Sequence, residues 1–198
     1  MFGTLHTMKY TVFSATILTL LASQAIAGTR TSPPPQSAPA SQPFGANETQ
    51  FDVFGTYLDG KGPDHVGPLR DHGWGGGVGL NHFWTENLGL GIDAAGIYGR
   101  ENPARGGSNK TLFQGTGSLI LRMPYQDINL APYGFLGGGV TGGAGTWASA
   151  HAGLGAEYRL IPNQVGIFSD VRWTYYGDAN GHKDLNNFQV RAGVRFAF

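Results

Sequence analysis

From residue 49 to the C-terminus, apolar side chains recur at every second position in eight runs. In the last run, Phe188, Val190, Ala192, Val194, Phe196 and Phe198 alternate with Asn187, Gln189, Arg191, Gly193 and Arg195. A period of two is typical of a β-strand, because successive side chains point to opposite faces. Each run has about 10–13 residues, close to what a tilted strand needs to cross a membrane. The pattern predicts an all-β protein, an eight-stranded antiparallel up-and-down transmembrane β-barrel spanning residues 49–198.

The connections between the runs alternate in length. Long polar links are predicted at 59–72, 100–110 and 177–186, with a shorter one at 142–146. Tight turns are predicted at 85–87, 124–129 and 161–164. Bacterial outer-membrane barrels have long loops outside the cell and short turns in the periplasm. The order of links is the one expected if both chain ends are periplasmic.

Alternation alone leaves open which face of the barrel is apolar, because a soluble lipocalin-like barrel points its apolar face inward. Here the polar face carries glycine as well as charge, which suits a narrow eight-stranded interior. Aromatic residues gather near the ends of the runs, as in the girdles of membrane barrels: Tyr57, Trp74, Trp84, Tyr98, Tyr158, Trp173, Tyr175 and Phe196. The given sequence also stops at Phe198, on the apolar face. We therefore expect the apolar face to contact lipid.

The predicted interior carries charges of both signs. The acids are Asp52, Asp93, Glu157 and Asp170, and the bases are Arg122, Arg159, Arg172, Arg191 and Arg195. Neighbouring strands lie about 4.8 Å apart, so these side chains can reach one another. We predict a salt-bridged network that plugs the lumen, and a narrow or gated conductance is the alternative.

The N-terminal segments are predicted to lie outside the barrel. Residues 1–27 combine Lys9, a short apolar stretch and a small-residue cleavage pattern ending at Ala27 before Gly28, which indicates a secretory signal peptide. Met8 is an alternative start. Residues 28–48 are rich in Pro, Ser and Ala and are predicted to form a periplasmic tether.

Composition excludes several classes of protein. The chain has 13 basic and 13 acidic residues, without the basic excess that a nucleic-acid-binding protein usually shows. It has no cysteine, which rules out disulfides and cysteine-ligated metal sites. No nucleic-acid partner and no cofactor are expected.

Four segments resemble the turn and strand signatures of OmpA-like and opacity-type outer-membrane β-barrel domains. They are Thr85 to Leu90 (TENLGL), Ala131 to Phe135 (APYGF), Gly155 to Arg159 (GAEYR) and Phe168 to Trp173 (FSDVRW). The resemblance covers about residues 49–198. It implies an integral outer-membrane location, periplasmic chaperones during export, and recognition of the last strand, with Phe196 and Phe198 as the assembly signal, by the barrel-assembly machinery. The separate peptidoglycan-binding domain of full-length OmpA has no counterpart here, so cell-wall anchoring is not implied.

Enzymatic and metal-binding roles are weaker alternatives. A lipid A deacylase places His and Ser two apart on one strand, His first and facing lipid, whereas Ser149 and His151 have the reverse order and a predicted inward orientation. His65 and His72 share a loop with three aspartates, Asp59, Asp64 and Asp71, but a solvated loop is the simpler interpretation. The segment 178–184 lacks the spacing of an EF-hand. We therefore expect neither catalysis nor a bound metal.

The sequence therefore favours a structural or surface-interaction role in the outer membrane. An adhesin acting through the loops at 59–72, 100–110 and 177–186 is the main alternative, because loops on a rigid scaffold often carry binding. A small pore is the third hypothesis, and a lipid A-modifying enzyme is the fourth.

Overall fold

The computed structural model describes residues 42–59, 69–101, 109–143, 146–177 and 185–198. They form a closed barrel in which each strand pairs antiparallel with the next and β8 pairs with β1. The strands are β1 (Glu48–Asp59), β2 (Leu69–Phe83), β3 (Leu88–Glu101), β4 (Asn109–Arg122), β5 (Leu130–Gly142), β6 (Thr146–Ile161), β7 (Val165–Tyr176) and β8 (Leu185–Ala197). The predicted eight-stranded up-and-down barrel is confirmed.

No helix within the described ranges is both long enough and apolar enough to cross a membrane.

The two ends of the barrel differ in their connections. At the turn end lie the N-terminus of β1, the C-terminus of β8 and the three short turns, the second of which contains a 3-10 turn at Gln126–Ile128. At the loop end lie the other four connections. The strands reach further toward this end than predicted, since β2 begins at Leu69, β3 runs to Glu101 and β8 begins at Leu185. Of the predicted long links, only 60–68, 102–108 and 178–184 lie outside the described residues.

Local chemistry accounts for the short turns. Asn129 and Asn163 have positive φ values of 56° and 55°, a left-handed conformation that asparagine tolerates better than most residues. In the first turn, the Thr85 hydroxyl accepts hydrogen bonds from the backbone N–H groups of Asn87 and Leu88, at 3.2 and 3.0 Å. These turns fix which residues face each other in the neighbouring hairpins.

The outward face of the barrel is apolar. Phe113, Leu154 and Ile92 have exposed fractions of 66%, 74% and 63%. The other large exposed apolar side chains of the strands occupy the same alternate positions, except Ile161 at the end of β6. The phase of β5, which glycines blur in the sequence, is resolved: Tyr133 and Phe135 are buried, while the neighbouring strand position Leu136 is exposed. The barrel is thus inside-out relative to a soluble protein, as predicted.

Candidate functional site: the charged lumen

The lumen holds all nine charged side chains predicted to lie there. Eight of them are buried and Asp93 is half-buried. A tenth charge, Glu48, was missed because the sequence places it in the tether. It is the first residue of β1, is only 7% exposed, and makes the inventory five acids against five arginines. The fifth acid brings the net charge of this set to zero.

One chain of ion pairs occupies the turn-end half of the lumen. Its members, in order of contact, are Arg122, Glu48, Arg159, Glu157, Arg195 and Asp52. Glu48 Oε1 lies 2.9 Å from Arg122 Nη1 and 2.6 Å from Arg159 Nη2. Arg195 bridges Glu157 and Asp52 at 2.7 Å each. Three acids balance three arginines, so this chain is neutral.

A second chain lies nearer the loop end and is also neutral. Arg191 Nε lies 2.8 Å from Asp170 and its Nη1 lies 3.2 Å from Asp93, which in turn is 2.9 Å from Arg172 Nη2. The Tyr133 hydroxyl donates to Asp170 at 2.9 Å. Removing one partner of such a buried pair leaves an uncompensated charge, which is strongly destabilising. Each chain therefore depends on its complete set of charges.

Aromatic rings fill the space between the guanidinium groups. The Arg122 guanidinium carbon lies 3.9 Å from the centroid of the Phe83 ring, and that of Arg195 lies 4.5 Å from the Phe168 ring. Such contacts are favourable because the ring face is electron-rich. Aromatic rings therefore share the interior with the charged and glycine residues of the polar face.

Each of four inward rings lies against a glycine directly opposite on the neighbouring strand. The pairs are Phe54 with Gly77, Phe83 with Gly89, Tyr133 with Gly155, and Phe135 with Gly153. A Cβ atom built at any of these glycines would come within 2.3–2.7 Å of the ring. The glycines therefore create room for rings to lie along the wall. An aromatic residue in the inward phase opposite a glycine is the sequence signal that could have identified these pairs.

An apolar cluster occupies the lumen at the loop end. Its members are Leu58, Ile97, Leu112, Trp147 and Tyr176, each 3% exposed or less. We call this cluster the cap. This cluster was not predicted from the sequence, although all five residues fall in the inward phase of their strands. A closely packed apolar layer across a pore opposes the passage of ions and water.

The middle of the lumen contains a small cavity. A cavity of about 20 Å³ lies among Asp52, Asp93, Ser118, Arg191 and Arg195. This volume has room for about one water molecule.

Ser149 and His151 both face the lumen and are buried. His151 Nε2 lies 2.8 Å from the hydroxyl of Ser118 on β4. The pair considered for lipid A deacylation therefore points away from the outward face. Within the described ranges, no group of three or more His, Asp or Glu side chains could hold a metal ion. His65 and the 178–184 segment lie outside those ranges.

The remaining predicted sites lie at the two chain ends. The signal-peptide junction at Ala27 and Gly28 and the tether up to residue 41 lie outside the described residues. Phe196 and Phe198 face outward, with exposed fractions of 42% and 68%. The backbone of Phe198 exchanges two hydrogen bonds with Thr49, at 2.9 and 3.0 Å, so the last residue is paired into the β1–β8 seam.

Comparisons with known proteins bear on the fold. No protein-family model matches the sequence, and no curated protein matches it significantly. Among solved structures, Neisserial surface protein A (NspA) is similar with a TM-score of 0.59 and 18% identity, covering 76% of this chain and 96% of the other. The outer membrane protein OprG from Pseudomonas aeruginosa is similar with a TM-score of 0.56 and 14% identity, covering 79% and 98%. This chain has the fold of small bacterial outer-membrane β-barrels.

Proposed function

We propose that this chain is an integral outer-membrane protein of a Gram-negative-type bacterium, similar in kind to OmpA-like and opacity-type barrels. The main support is the closed barrel with its apolar outward face, since a closed barrel leaves no unpaired strand edge in lipid. In this orientation the turn end is periplasmic and the loop end is extracellular. Residues 1–27 act as the export signal, and the tether predicted at 28–48 lies in the periplasm except for Glu48, which begins β1.

The proposed role of the barrel is structural: a rigid, non-conducting element of the envelope. The observation that carries this proposal is the filling of the lumen, where two neutral chains of ion pairs lie beneath the apolar cap. Ions would have to displace buried arginine–carboxylate pairs and then cross an apolar layer. Both steps are unfavourable.

Current measurements in planar bilayers test the sealed lumen. We expect negligible steady current from the purified barrel, because a permeating ion would have to displace buried ion pairs and pass the apolar cap. An open porin reconstituted in parallel verifies that the bilayers report insertion. A stable and reproducible open channel would contradict the proposal.

Electrophoresis of membrane fractions, with and without boiling, tests the location. A closed barrel resists detergent until it is heated, so its band in the outer-membrane fraction should shift on boiling. The inner-membrane and soluble fractions serve as controls. A mature chain that is monomeric and water-soluble without detergent would refute the membrane assignment.

Loop exchange separates the structural role from the adhesin alternative. Replacing 60–68, 102–108 and 178–184 by short turns should leave barrel assembly and envelope integrity unchanged, because the ion-pair chains and the cap are built from strand residues. Loss of adhesion to host surfaces with an intact barrel would favour the adhesin.

Catalysis is not part of the proposal, since Ser149 and His151 face the lumen. Lipid A should therefore keep its acylation pattern when the protein is overproduced. Periplasmic chaperones and the barrel-assembly machinery are the proposed partners during export, and the outward Phe196 and Phe198 are the proposed assembly signal.

A further inference from the structure

The segment before β1 is packed against the barrel, although the sequence places it in a tether. Phe44 is fully buried and Pro43 is buried as well. Asn47 has a positive φ of 57°, and β1 begins at the next residue. A left-handed residue at this point changes the direction of the chain sharply. We call residues 43–47 the plug.

The ring of Phe44 lies against two arginines of the turn-end ion-pair chain. Its centroid is 5.0 Å from the guanidinium carbon of Arg122 and 5.1 Å from that of Arg159. Both arginines also contact Glu48 Oε1. The apolar ring thus covers the turn-end chain of ion pairs, whose charges sum to zero, at the turn-end opening of the lumen.

The plug backbone is held by a side chain from the opposite wall. Gln126 Oε1 accepts a hydrogen bond from the Phe44 N–H at 3.2 Å, and Gln126 Nε2 donates to the Phe44 carbonyl at 2.9 Å. Gln126 belongs to the turn between β4 and β5, and β5 is four strands from β1 in a ring of eight. A contact between the start of β1 and this turn therefore spans the opening.

Two further hydrogen bonds join the plug to the charges beneath it. Arg122 Nη2 donates to the Gly45 carbonyl at 3.4 Å, and the Gly45 N–H donates to Glu48 Oε2 at 3.3 Å. The plug thereby supplies acceptors and donors to side chains that would otherwise face water.

We propose that residues 43–47 form an internal plug that closes the periplasmic opening of the lumen, with Arg122, Arg159 and Gln126 as its binding site. This proposal extends the proposed sealed barrel and rests on it for the orientation of the turn end. The lumen is then closed at both ends by different means: the cap at the loop end and a segment of the chain's own N-terminal region at the turn end.

Thiol labelling of single cysteines tests the plug, because the chain has no native cysteine. Ala131→Cys reports on the turn end, since Ala131 is fully buried and is the second residue of β5. Leu112→Cys, in the cap, is the matched control at the other end. Each reporter is labelled with a water-soluble maleimide in detergent-folded protein, with and without Phe44→Ala.

We expect Phe44→Ala to raise the labelling rate of Ala131→Cys about tenfold or more, because local opening no longer has to displace a buried ring. The rate at Leu112→Cys should stay unchanged. Gln126→Ala should also raise the labelling rate of Ala131→Cys. If Phe44→Ala does not fold, Gln126→Ala is the variant that tests the plug. Folding of every variant is verified by its band shift on boiling.

Unchanged labelling of Ala131→Cys in both plug variants would overturn the proposal, and so would equal acceleration at Leu112→Cys. The bilayer current of Phe44→Ala should remain negligible, because the cap still closes the loop end. A current from the unmodified protein would therefore contradict the sealed lumen without deciding the plug. Labelling alone decides the plug.

Discussion

The wall of the lumen is shaped at single residues, where glycines leave room for rings. Gly153 is the clearest case: a Cβ atom there would lie 2.3 Å from Phe135 Cζ and 2.5 Å from the Val171 carbonyl oxygen. The ring is also enclosed by its neighbours, since the Arg172 guanidinium carbon lies 5.3 Å from its centroid. A methyl group at position 153 therefore has to move both a ring and a strand.

Gly153→Ala should lower the free energy of unfolding by about 1–3 kcal/mol, the usual range for overpacking a filled interior. Gly115→Ala is the matched control, because nothing lies within 4 Å of a Cβ atom there. Urea unfolding in detergent or lipid, followed by tryptophan fluorescence, measures both. Equal stability of the two variants would refute the role assigned to the ring contact.

Glu48 shows how one charge completes a network. It is the acid shared by Arg122 and Arg159, which are both fully buried on their side chains. Without it, the three arginines of the turn-end chain share only two acids, Glu157 and Asp52. That chain would then carry a net positive charge in a medium of low dielectric constant.

Glu48→Gln should destabilise the barrel by about 3–5 kcal/mol, the range measured when one partner of a buried ion pair is removed. Glu86→Gln, in the exposed first turn, should change stability by less than about 0.5 kcal/mol. The same unfolding titration compares them. A small effect of Glu48→Gln would mean that water or another group neutralises Arg122 and Arg159.

Each strand has an outward face that is mostly apolar and an inward face that carries buried polar side chains. In β6, Leu154 faces outward near the middle of the strand and is 74% exposed, while Thr146 is exposed at its loop-end terminus. The inward neighbours His151 and Glu157 are buried in polar contacts. If the outward face lies in lipid, the effect of a charge on it must depend on depth.

Leu154→Arg should reduce stability in lipid vesicles by about 2–4 kcal/mol, whereas Thr146→Arg should change it by about 0–1 kcal/mol, as expected for arginine at the midplane and near the interface. Guanidinium unfolding in vesicles provides the comparison. Equal losses at the two positions would argue against a membrane-spanning β6.

At the scale of the whole molecule, closure depends on the pairing of the first and last strands. The seam is held by the β1–β8 ladder, by the backbone hydrogen bonds between Thr49 and Phe198, and by the Asp52–Arg195 pair. The Phe198 side chain contributes little to this closure, since it is 68% exposed. Its proposed role is therefore in assembly.

Deleting Phe198 should lower the amount of protein in the outer membrane several-fold, while the purified variant refolded in detergent keeps its band shift on boiling. Phe188→Ala, which removes another outward aromatic side chain from β8, is the control and should leave abundance near normal. Unchanged abundance after deletion of Phe198 would argue against the assembly signal.

The sequence predicts the charged residues of the lumen better than its apolar residues. Nine of its charged side chains follow from alternation, because a charge in the inward phase of a lipid-facing barrel has nowhere else to go. Glu48 and Phe44 were not predicted, since they precede the first alternating run and their partners distant in sequence lie on β4, β6 and the β4–β5 turn. Alternation places Phe54 in the inward phase, but its contact with Gly77 was not predicted, and Phe135 was missed because glycines blur the phase of its run.

The sequence by itself determined the strand number, the order of turns and loops, and the outward apolar face. These follow from a side-chain period of two and from local turn chemistry, both of which act over a few neighbouring residues. Only the tertiary structure decided which charges pair, which rings lie on which glycines, and how residues 43–47 and the cap meet the lumen. The ring–glycine contacts depend on the register of neighbouring strands. Many of the ion pairs and the contacts of residues 43–47 join strands that are far apart in the chain, so they form only when the sheet closes into a barrel.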